Sequence, residues 1–316
     1  MAIELLGKPI ALAKAFSPGH ITGFFEAPHD TCSSSSSSSS SDFLYRGSKG
    51  AGFSIERGIA TTVFLYETTR PNYYQISING TKSSNAEVSK WVVEEYLKHT
   101  NRPYFISVHH DVEIPIGFGL GSSGAAALSL SYALNRVLDA GLNRTEAAQI
   151  AHNAEIACNT GLGTVIAEFA GGFEMRTTAG APGIGSVSKI NLDENYKVVV
   201  LCLAPILTKS FLANSINQID GLGSIMLSKL SVSRSLDDFL KMSHGFAEML
   251  NLTEGRCKEP IAALKRKGIK SSVALFGQTV FTVVSEERAS EAADILRQFG
   301  GTLIVCNIDT AGARML

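Results

Sequence analysis

Residues 115–131 read PIGFGLGSSGAAALSLS and place a turn rich in glycine and serine directly before a run of alanine and leucine. Glycines allow the backbone to bend and to approach a ligand without a Cβ clash. A helix that begins after such a turn presents N–H groups that can bind phosphate oxygens. The two serines, Ser122 and Ser123, add hydroxyl groups for phosphate or magnesium. The stretch therefore predicts a phosphate-binding loop, although a tight turn before a core helix is the simpler alternative. Its glycines are Gly117, Gly119, Gly121 and Gly124.

The length and composition favour a two-domain enzyme. The chain has 316 residues, more than a usual single domain, and 45% of them are hydrophobic, which is ample for a sizeable core. We expect an N-terminal α/β nucleotide-binding domain over residues 1–185 and an α+β domain over residues 186–316 that closes the substrate cleft. In the second domain, helices would cover one face of an antiparallel sheet.

The charge balance indicates the class of ligand, and the cysteines indicate the cellular compartment. The formal net charge is −1, from 28 basic and 29 acidic residues, so no strong field attracts nucleic acid or an anionic membrane surface. A small-molecule ligand is therefore favoured. The five cysteines are scattered without a CxxC pair, as expected of buried thiols in a reducing cytosol. The chain shows no signal-peptide core and no apolar run of spanning length, so a cytoplasmic location is expected.

The pattern along the chain predicts strands and helices around the loop. Ala11 to Phe16 and Ile59 to Tyr66 are typical of strands, with glycine-rich turns SPGHITGFFE and GSKGAGF between them. Nine consecutive serines, residues 33–41, predict a mobile loop. Spacing predicts a helix over 88–96, and 104–114 would form the strand that leads into the loop.

A second helix is predicted after residue 143. Asn143 can cap it, with Glu146 as the capping-box partner, and the helix would run to about Cys158. Further along, strands are expected over 196–203, 273–284 (as a hairpin) and 302–307. Helices are expected over 236–250, 260–267 and 286–299.

Three polar residues after the loop are candidates for chemistry. Glu155 is surrounded by small apolar residues and offers the hard carboxylate oxygen that magnesium prefers. His152 precedes it by three residues on the same helical face. Arg176 follows a glycine pair, and its planar guanidinium can bind a carboxylate in bidentate fashion. Each has an ordinary alternative: a solvated glutamate, a core or surface histidine, and an exposed arginine at a strand end.

The loop resembles the PxxxGLGSSAA motif of the GHMP kinases. The PG turn near the N-terminus, the glutamate helix and the glycine turn followed by GG extend this resemblance over most of the chain. Within the superfamily, SPGHITGFFE, GSKGAGF and HNAEIACNTGLGTVIAEFAGGFEMR are similar to the archaeal pantoate kinases. The resemblance implies a GHMP-kinase-like fold with a ferredoxin-like C-terminal domain. It also implies phosphorylation of pantoate at its 4-hydroxyl, with ATP and magnesium, for coenzyme A biosynthesis, and a homodimer.

The resemblance also implies roles for individual residues. Magnesium would be held by Ser123 and Glu155, and pantoate by His152 and Arg176, with His20 bordering the substrate cleft. The nucleotide phosphates would lie against the loop residues Gly117, Gly119, Leu120, Gly121, Ser122, Ser123 and Gly124.

One position departs from the family. The TGLGD turn of the family carries an aspartate thought to orient or deprotonate the attacking hydroxyl, and this chain has Thr164 there. A threonine hydroxyl is not ionised near neutral pH and cannot act as that base. Positioning and magnesium alone could suffice, as thought for homoserine kinase. Alternatively, Glu168 could substitute, although a solvated helix-face residue is the simpler interpretation, or the chain could be an impaired ATP- and pantoate-binding protein. A GHMP kinase for another acceptor, homoserine- or mevalonate-like, is a further alternative.

Overall fold

A computed structural model describes residues 7–26, 40–192, 195–206 and 221–316. Two β-sheets and nine α-helices make up this part of the chain. The strands are β1 (Ala11–Glu26), β2 (Lys49–Glu67), β3 (Tyr73–Ile78), β4 (Thr81–Lys82), β5 (Tyr104–Val112), β6 (Phe173–Thr178), β7 (Ser186–Ile190), β8 (Tyr196–Pro205), β9 (Ser272–Val273), β10 (Gly277–Ser285), β11 (Thr302–Cys306) and β12 (Arg314–Met315). The helices are α1 (Ser40–Phe43), α2 (Glu87–Leu97), α3 (Ser122–Val137), α4 (Arg144–Cys158), α5 (Thr164–Ala170), α6 (Leu222–Ser233), α7 (Leu236–Met249), α8 (Lys258–Arg266) and α9 (Glu286–Arg297).

The first sheet has eight strands. Its main path is β12-β1-β2-β5-β3-β4, while β6 pairs with β2 and β7 pairs with β6. All these pairs are antiparallel except β3 with β5. Helices α2, α3 and α4 pack together, and an apolar core joins them to one face of the sheet. The alanine-rich sequence of α3 lets it lie close to β1 and β2, because small side chains permit close approach.

The second sheet has four antiparallel strands in the order β11-β8-β10-β9. Helices α8 and α9 share an apolar core with this sheet. The expected α+β arrangement, with helices packed on an antiparallel sheet, is confirmed.

A central core joins the two sheets. It contains Phe53 from the first sheet, Phe239 from α7 and Phe281 from the second sheet. The ring centroids of Phe53 and Phe281 are 5.6 Å apart, and those of Phe53 and Phe239 are 6.0 Å apart. The two sheets are thus held against each other by aromatic packing.

The division at residue 185 stays a prediction. Strands β7 and β12 follow residue 185 in the chain, yet both belong to the first sheet.

Two expected turns are strand interiors. Residues of SPGHITGFFE lie within β1 and those of GSKGAGF lie largely within β2, where the two strands pair along their length. The register shifts between Pro18 and Gly19, and again between Thr22 and Phe24. Proline donates no ladder hydrogen bond, so a β-bulge accommodates it without ending the strand. The turn prediction was wrong because Pro and Gly mark bulges as well as turns.

Most other element predictions hold within a few residues. The capping box of α4 is present, with Asn143 and Glu146 bonded reciprocally. The elements that were not foreseen include the strands β3, β4, β7 and β12 and the helix α6. In the serine run, residues 33–39 lie outside the described residues, and residues 40 and 41 begin α1 instead of continuing a loop.

Candidate functional site

A cleft of about 540 Å³ opens in front of the N-termini of α3 and α5. Sheet one contributes His20 and Arg176, and the second sheet contributes the turn before β10 through Leu275 and Phe276. The cleft therefore lies where the two sheets meet. The expected site residues that line it are Gly117, Gly119, Leu120, Gly121, Ser122, Ser123, Thr164, His20 and Arg176.

The glycine loop has the backbone that a phosphate-binding turn needs. Gly117, Gly119 and Gly121 have positive φ angles of 86°, 74° and 74°, which side chains disfavour. A Cβ on Gly119 would also lie 2.2 Å from the Leu275 carbonyl oxygen. Gly121 caps α3 without a side-chain hydrogen bond. The first N–H groups of this helix are therefore left without a side-chain acceptor, which suits them to an anion.

Gly124 has a different role from the phosphate contact expected for it. It lies inside α3, where the backbone is regular, and it does not bend the loop. A Cβ on Gly124 would lie 2.7 Å from Glu168 Oε2 and 3.3 Å from Glu155 Oε2. Glycine at this position therefore makes room for two carboxyl groups beneath the loop.

Ser123 and Glu155 meet, as the family resemblance implied. Ser123 Oγ donates a hydrogen bond of 2.5 Å to Glu155 Oε1. Glu155 is buried, and burial raises the pKa of its carboxyl group to about 7, partly offset by hydrogen bonds from Ser123 and the Val165 amide. Its carboxyl group fits against Gly161, where a Cβ would come within 2.4 Å of Oε2. A hydroxyl and a carboxylate are hard oxygen donors, so this pair fits a magnesium ion.

His20 and Arg176 are joined by a residue that the sequence reading missed, Glu174. Arg176 Nη1 donates to Glu174 Oε1 at 2.5 Å, and His20 Nε2 lies 2.9 Å from the same oxygen. All three side chains are at least 98% buried. Burial lowers the pKa of His20, and the Glu174 carboxylate only partly opposes this. A neutral His20 therefore donates from Nε2 to Glu174, which leaves Nδ1 to accept from Thr22 Oγ1 at 3.3 Å.

A signal for Glu174 exists in the sequence. Residues 174 and 176 are two apart on a strand, and side chains at that spacing share one face. A carboxylate on the same face as a buried arginine is its natural partner.

His152 does not line the cleft. Its Nε2 donates to the Phe43 carbonyl oxygen at 3.1 Å, and burial lowers its pKa to about 4. A neutral, buried histidine bonded to α1 positions the helix pair α1 and α4. We therefore leave it out of the proposed substrate contacts.

Thr164 is the first residue of α5 and faces the cleft. Glu168 follows one helical turn later, and it is fully buried, so the expectation of a solvated helix face was wrong. Neither of its carboxyl oxygens has a hydrogen-bond partner. Burial and the neighbouring Glu155 carboxylate raise the pKa of Glu168 well above its ordinary value.

Comparison with known proteins places this site in a family. Residues 87–172 match the model of the GHMP kinases N terminal domain. This stretch holds the glycine loop, the Ser123–Glu155 pair and Thr164. The fold and the site therefore define a small-molecule kinase of the GHMP class.

Full-length relatives narrow the class. A pantoate kinase of Methanocaldococcus jannaschii is 35% identical over 93% of this chain and 99% of its own length. A pantoate kinase of Thermococcus kodakarensis is 30% identical over 90% of this chain and 92% of its own. A solved structure described as a phosphotransferase related to the CoA biosynthesis pathway superposes with a TM-score of 0.84 at 28% identity, covering 97% of this chain and 99% of its own. The chain belongs to the pantoate kinase family.

Proposed function

We propose that this chain transfers the terminal phosphoryl group of ATP to the 4-hydroxyl of pantoate, giving 4-phosphopantoate for coenzyme A biosynthesis. The family relationship supports pantoate phosphorylation directly. The observation that carries the proposal in the structure is the arrangement of the cleft. Arg176 lines the same cleft as the glycine loop, so a carboxylate anchor and a phosphate-binding loop face one space. A hydroxy acid bound by its carboxylate would lie beside the phosphate to be transferred.

The loop would hold the nucleotide. ATP use follows from the kinase family, and the proposed phosphate contacts are the loop residues that line the cleft: Gly117, Gly119, Leu120, Gly121, Ser122 and Ser123. We propose Ser123 and Glu155 as the magnesium ligands, since the pair presents two hard oxygens at the start of α3. Magnesium, when bound, neutralises charge on the phosphates. The backbone N–H groups of the loop add fixed dipoles that stabilise the same charge.

Arg176 and His20 would form the acceptor side. Glu174 engages one Nη of Arg176 and fixes the guanidinium plane, while Arg176 Nε has no partner. A guanidinium held in this way is prepared for a carboxylate. His20 shares Glu174 and lines the cleft, so it is a proposed neighbour of the acceptor hydroxyls.

Thr164 leaves the site without a general base at this position. Its side chain faces the cleft but cannot accept a proton near neutral pH. Phosphoryl transfer passes through a loose transition state in most analyses, so positioning and charge stabilisation carry most of the rate. We therefore propose that the reaction proceeds without a carboxylate at position 164.

An acceptor panel tests the proposal. ADP release with ATP and magnesium would be measured for pantoate, homoserine and mevalonate, with the wild type and Thr164→Asp side by side. We expect turnover with pantoate by the wild type, with the other acceptors much slower. A preference for homoserine or mevalonate would instead assign another acceptor. Turnover only in Thr164→Asp would make the natural chain an impaired kinase that binds ATP and pantoate.

Location and assembly remain predictions. Within the described ranges, no helix combines the length and the apolar character needed to cross a lipid bilayer. A cytoplasmic location and a homodimer are expectations from the family, and size-exclusion chromatography with light scattering tests the second.

A further inference from the structure

Glu168 is a buried acid that the proposed mechanism leaves without a task. It lies on α5, its relative exposure is 0%, and neither carboxyl oxygen has a hydrogen-bond partner. Buried carboxyl groups are rarely left unpaired, because desolvation without a partner is costly. Such a group in a native site calls for a ligand or an ion.

The position of the carboxyl group is defined by two glycines of the loop. Glu168 Oε1 lies 2.5 Å from the point where Gly121 would carry a Cβ. Glu168 Oε2 lies 2.7 Å from the corresponding point on Gly124, and Glu155 Oε2 lies 3.3 Å from that same point. The carboxyl groups of Glu155 and Glu168 therefore both lie against Gly124, beneath the phosphate-binding loop.

In the part of the chain that the structure describes, no basic side chain neutralises this pair of acids. Among the described residues, no lysine or arginine forms an ion pair or hydrogen bond with Glu155 or Glu168. Within the described ranges, Ser123 is the one side chain that donates a hydrogen bond to either acid, at Glu155 Oε1. Two carboxylates that lie against the same residue repel each other unless a cation or a proton lies between them.

We propose that Glu168 is a third protein ligand of the divalent-cation site, together with Ser123 and Glu155. This inference rests on the proposed function and adds a residue to its metal site. The three side chains supply only hard oxygen donors, as magnesium and manganese require. In the described part of the chain, no cluster of three or more His, Cys, Asp or Glu side chains forms a metal site, so this site depends on the serine hydroxyl as well as the two carboxylates.

The inference also bears on Thr164. Thr164 Cγ2 lies 2.9 Å from the Gly121 Cβ point that Glu168 Oε1 approaches to 2.5 Å. Position 168 thus places a carboxylate beside the side chain of position 164, one helical turn along α5. The carboxyl group of Glu168 lies beneath the loop, where it would contact the cation. It does not lie at the cleft surface, at position 164, where it would contact the acceptor.

Manganese binding without nucleotide or acceptor tests the inference. Free Mn²⁺ would be followed by electron paramagnetic resonance while MnCl₂ is titrated into the full chain. We expect one site in the wild type and at least about tenfold weaker binding in Glu168→Gln, since removing a ligand costs no less than the 10–100-fold of an outer-shell partner. The Mn²⁺-induced rise in Tm should shrink in parallel.

A matched control removes a carboxylate elsewhere. Glu291 lies on the exposed face of α9, where it pairs with Arg288, so Glu291→Gln changes the net charge equally and should leave Mn²⁺ binding unchanged. If Glu168→Gln does not fold, Glu168→Ala takes its place. No Mn²⁺ binding by the wild type, or equal affinity in the wild type and the Glu168 variant, would overturn the inference. Because no acceptor is present, this result is independent of whether pantoate is the substrate.

Discussion

The Ser123 hydroxyl lies 2.5 Å from Glu155 Oε1, so the first turn of α3 and the last turns of α4 are joined at one point beneath the glycine loop. Residues 32 apart in the chain meet there, and both have oxygen donors suited to magnesium. The pair links the proposed nucleotide loop to the helix that carries Glu155, the proposed metal ligand. Its removal provides the simplest test of the proposed metal site.

Glu155→Gln should keep the shape of this contact while removing the negative charge. We expect kcat/KM to fall by about 10²–10³-fold, similar to the loss of one group that stabilises transition-state charge. Steady-state rates over a magnesium titration measure the effect, with Tm as the test of folding. A variant with wild-type rates and an unchanged magnesium requirement would exclude Glu155 as a metal ligand.

Gly161 is a position where one methyl group should damage the site. A Cβ there would lie 2.4 Å from Glu155 Oε2 and 2.6 Å from the other carboxylate oxygen. Gly161→Ala should displace the carboxyl group and lower activity by about tenfold or more, because small misplacements in a site have large effects on rate. ADP release measures the loss.

Gly245 provides the matched control. It lies in α7, and a Cβ there would contact nothing within 4 Å. Gly245→Ala should leave activity unchanged and raise the free energy of unfolding by roughly 0.5–1 kcal/mol, as alanine favours helix. Equal activity of both variants would mean that Glu155 tolerates movement.

Arg176 should contribute more to acceptor binding than to the chemical step. Arg176→Met should raise KM for pantoate about tenfold or more, since hydrogen bonds to charged groups contribute roughly 1.5–3 kcal/mol. It should also destabilise the protein by about 3–5 kcal/mol, because Glu174 would be left buried without its cation. Kinetics and chemical denaturation measure the two effects.

The double variant Arg176→Met with Glu174→Gln separates binding from stability. Removing both charges should recover much of the lost stability, while KM for pantoate stays high. Recovery of KM together with stability would show that Arg176 has a structural part only.

His110 predicts how stability responds to acid. It is buried between Thr61 Oγ1 at 2.8 Å and Ser89 Oγ at 3.0 Å, and burial lowers its pKa from 6.5 to about 4. The unfolded chain therefore binds this proton first as the pH falls. Its contribution to stability is fully present above pH 6.5 and is lost between about 6.5 and 4.

Urea unfolding at a series of pH values measures this slope. His110→Gln should lose less stability than the wild type between pH 6.5 and 4. Other groups set the remaining slope: the lowered pKa values of His20 and His152 act in the same direction, and the raised pKa values of Glu155 and Glu168 act in the opposite direction. Identical slopes in the variant and the wild type would contradict the assignment.

Much of the fold follows from local sequence signals. The loop before α3, the capping box at Asn143 and the apolar runs of β8 and β10 each act over a few residues, so they can be read directly. The bulged strand β1 could not, because Pro18 and Gly19 have the local chemistry of a turn. That segment stays extended because it pairs with β2, and strand pairing depends on residues that are far apart in the sequence.

The sequence predicted only part of the site, because some of its contacts depend on residues far apart in the chain. Ser123 and Glu155 were expected to meet from their family motif, and they do. Glu168 was expected in solvent, as is usual for a glutamate on a helix face. Its burial depends on Gly121 and Gly124, which lie more than forty residues earlier in the chain, so the local sequence could not show it. His152 was expected at the substrate from the family resemblance, whereas it bonds to α1 and does not line the cleft.

The most direct test of the central claim is product analysis with the wild-type chain. Pantoate, ATP and magnesium would be incubated with the protein, and the product identified by ³¹P NMR and mass spectrometry. We predict a phosphomonoester on the 4-hydroxyl, formed in a one-to-one ratio with ADP and absent without pantoate. ATP binding without any phosphorylated pantoate, under conditions where the protein is folded, would contradict the account.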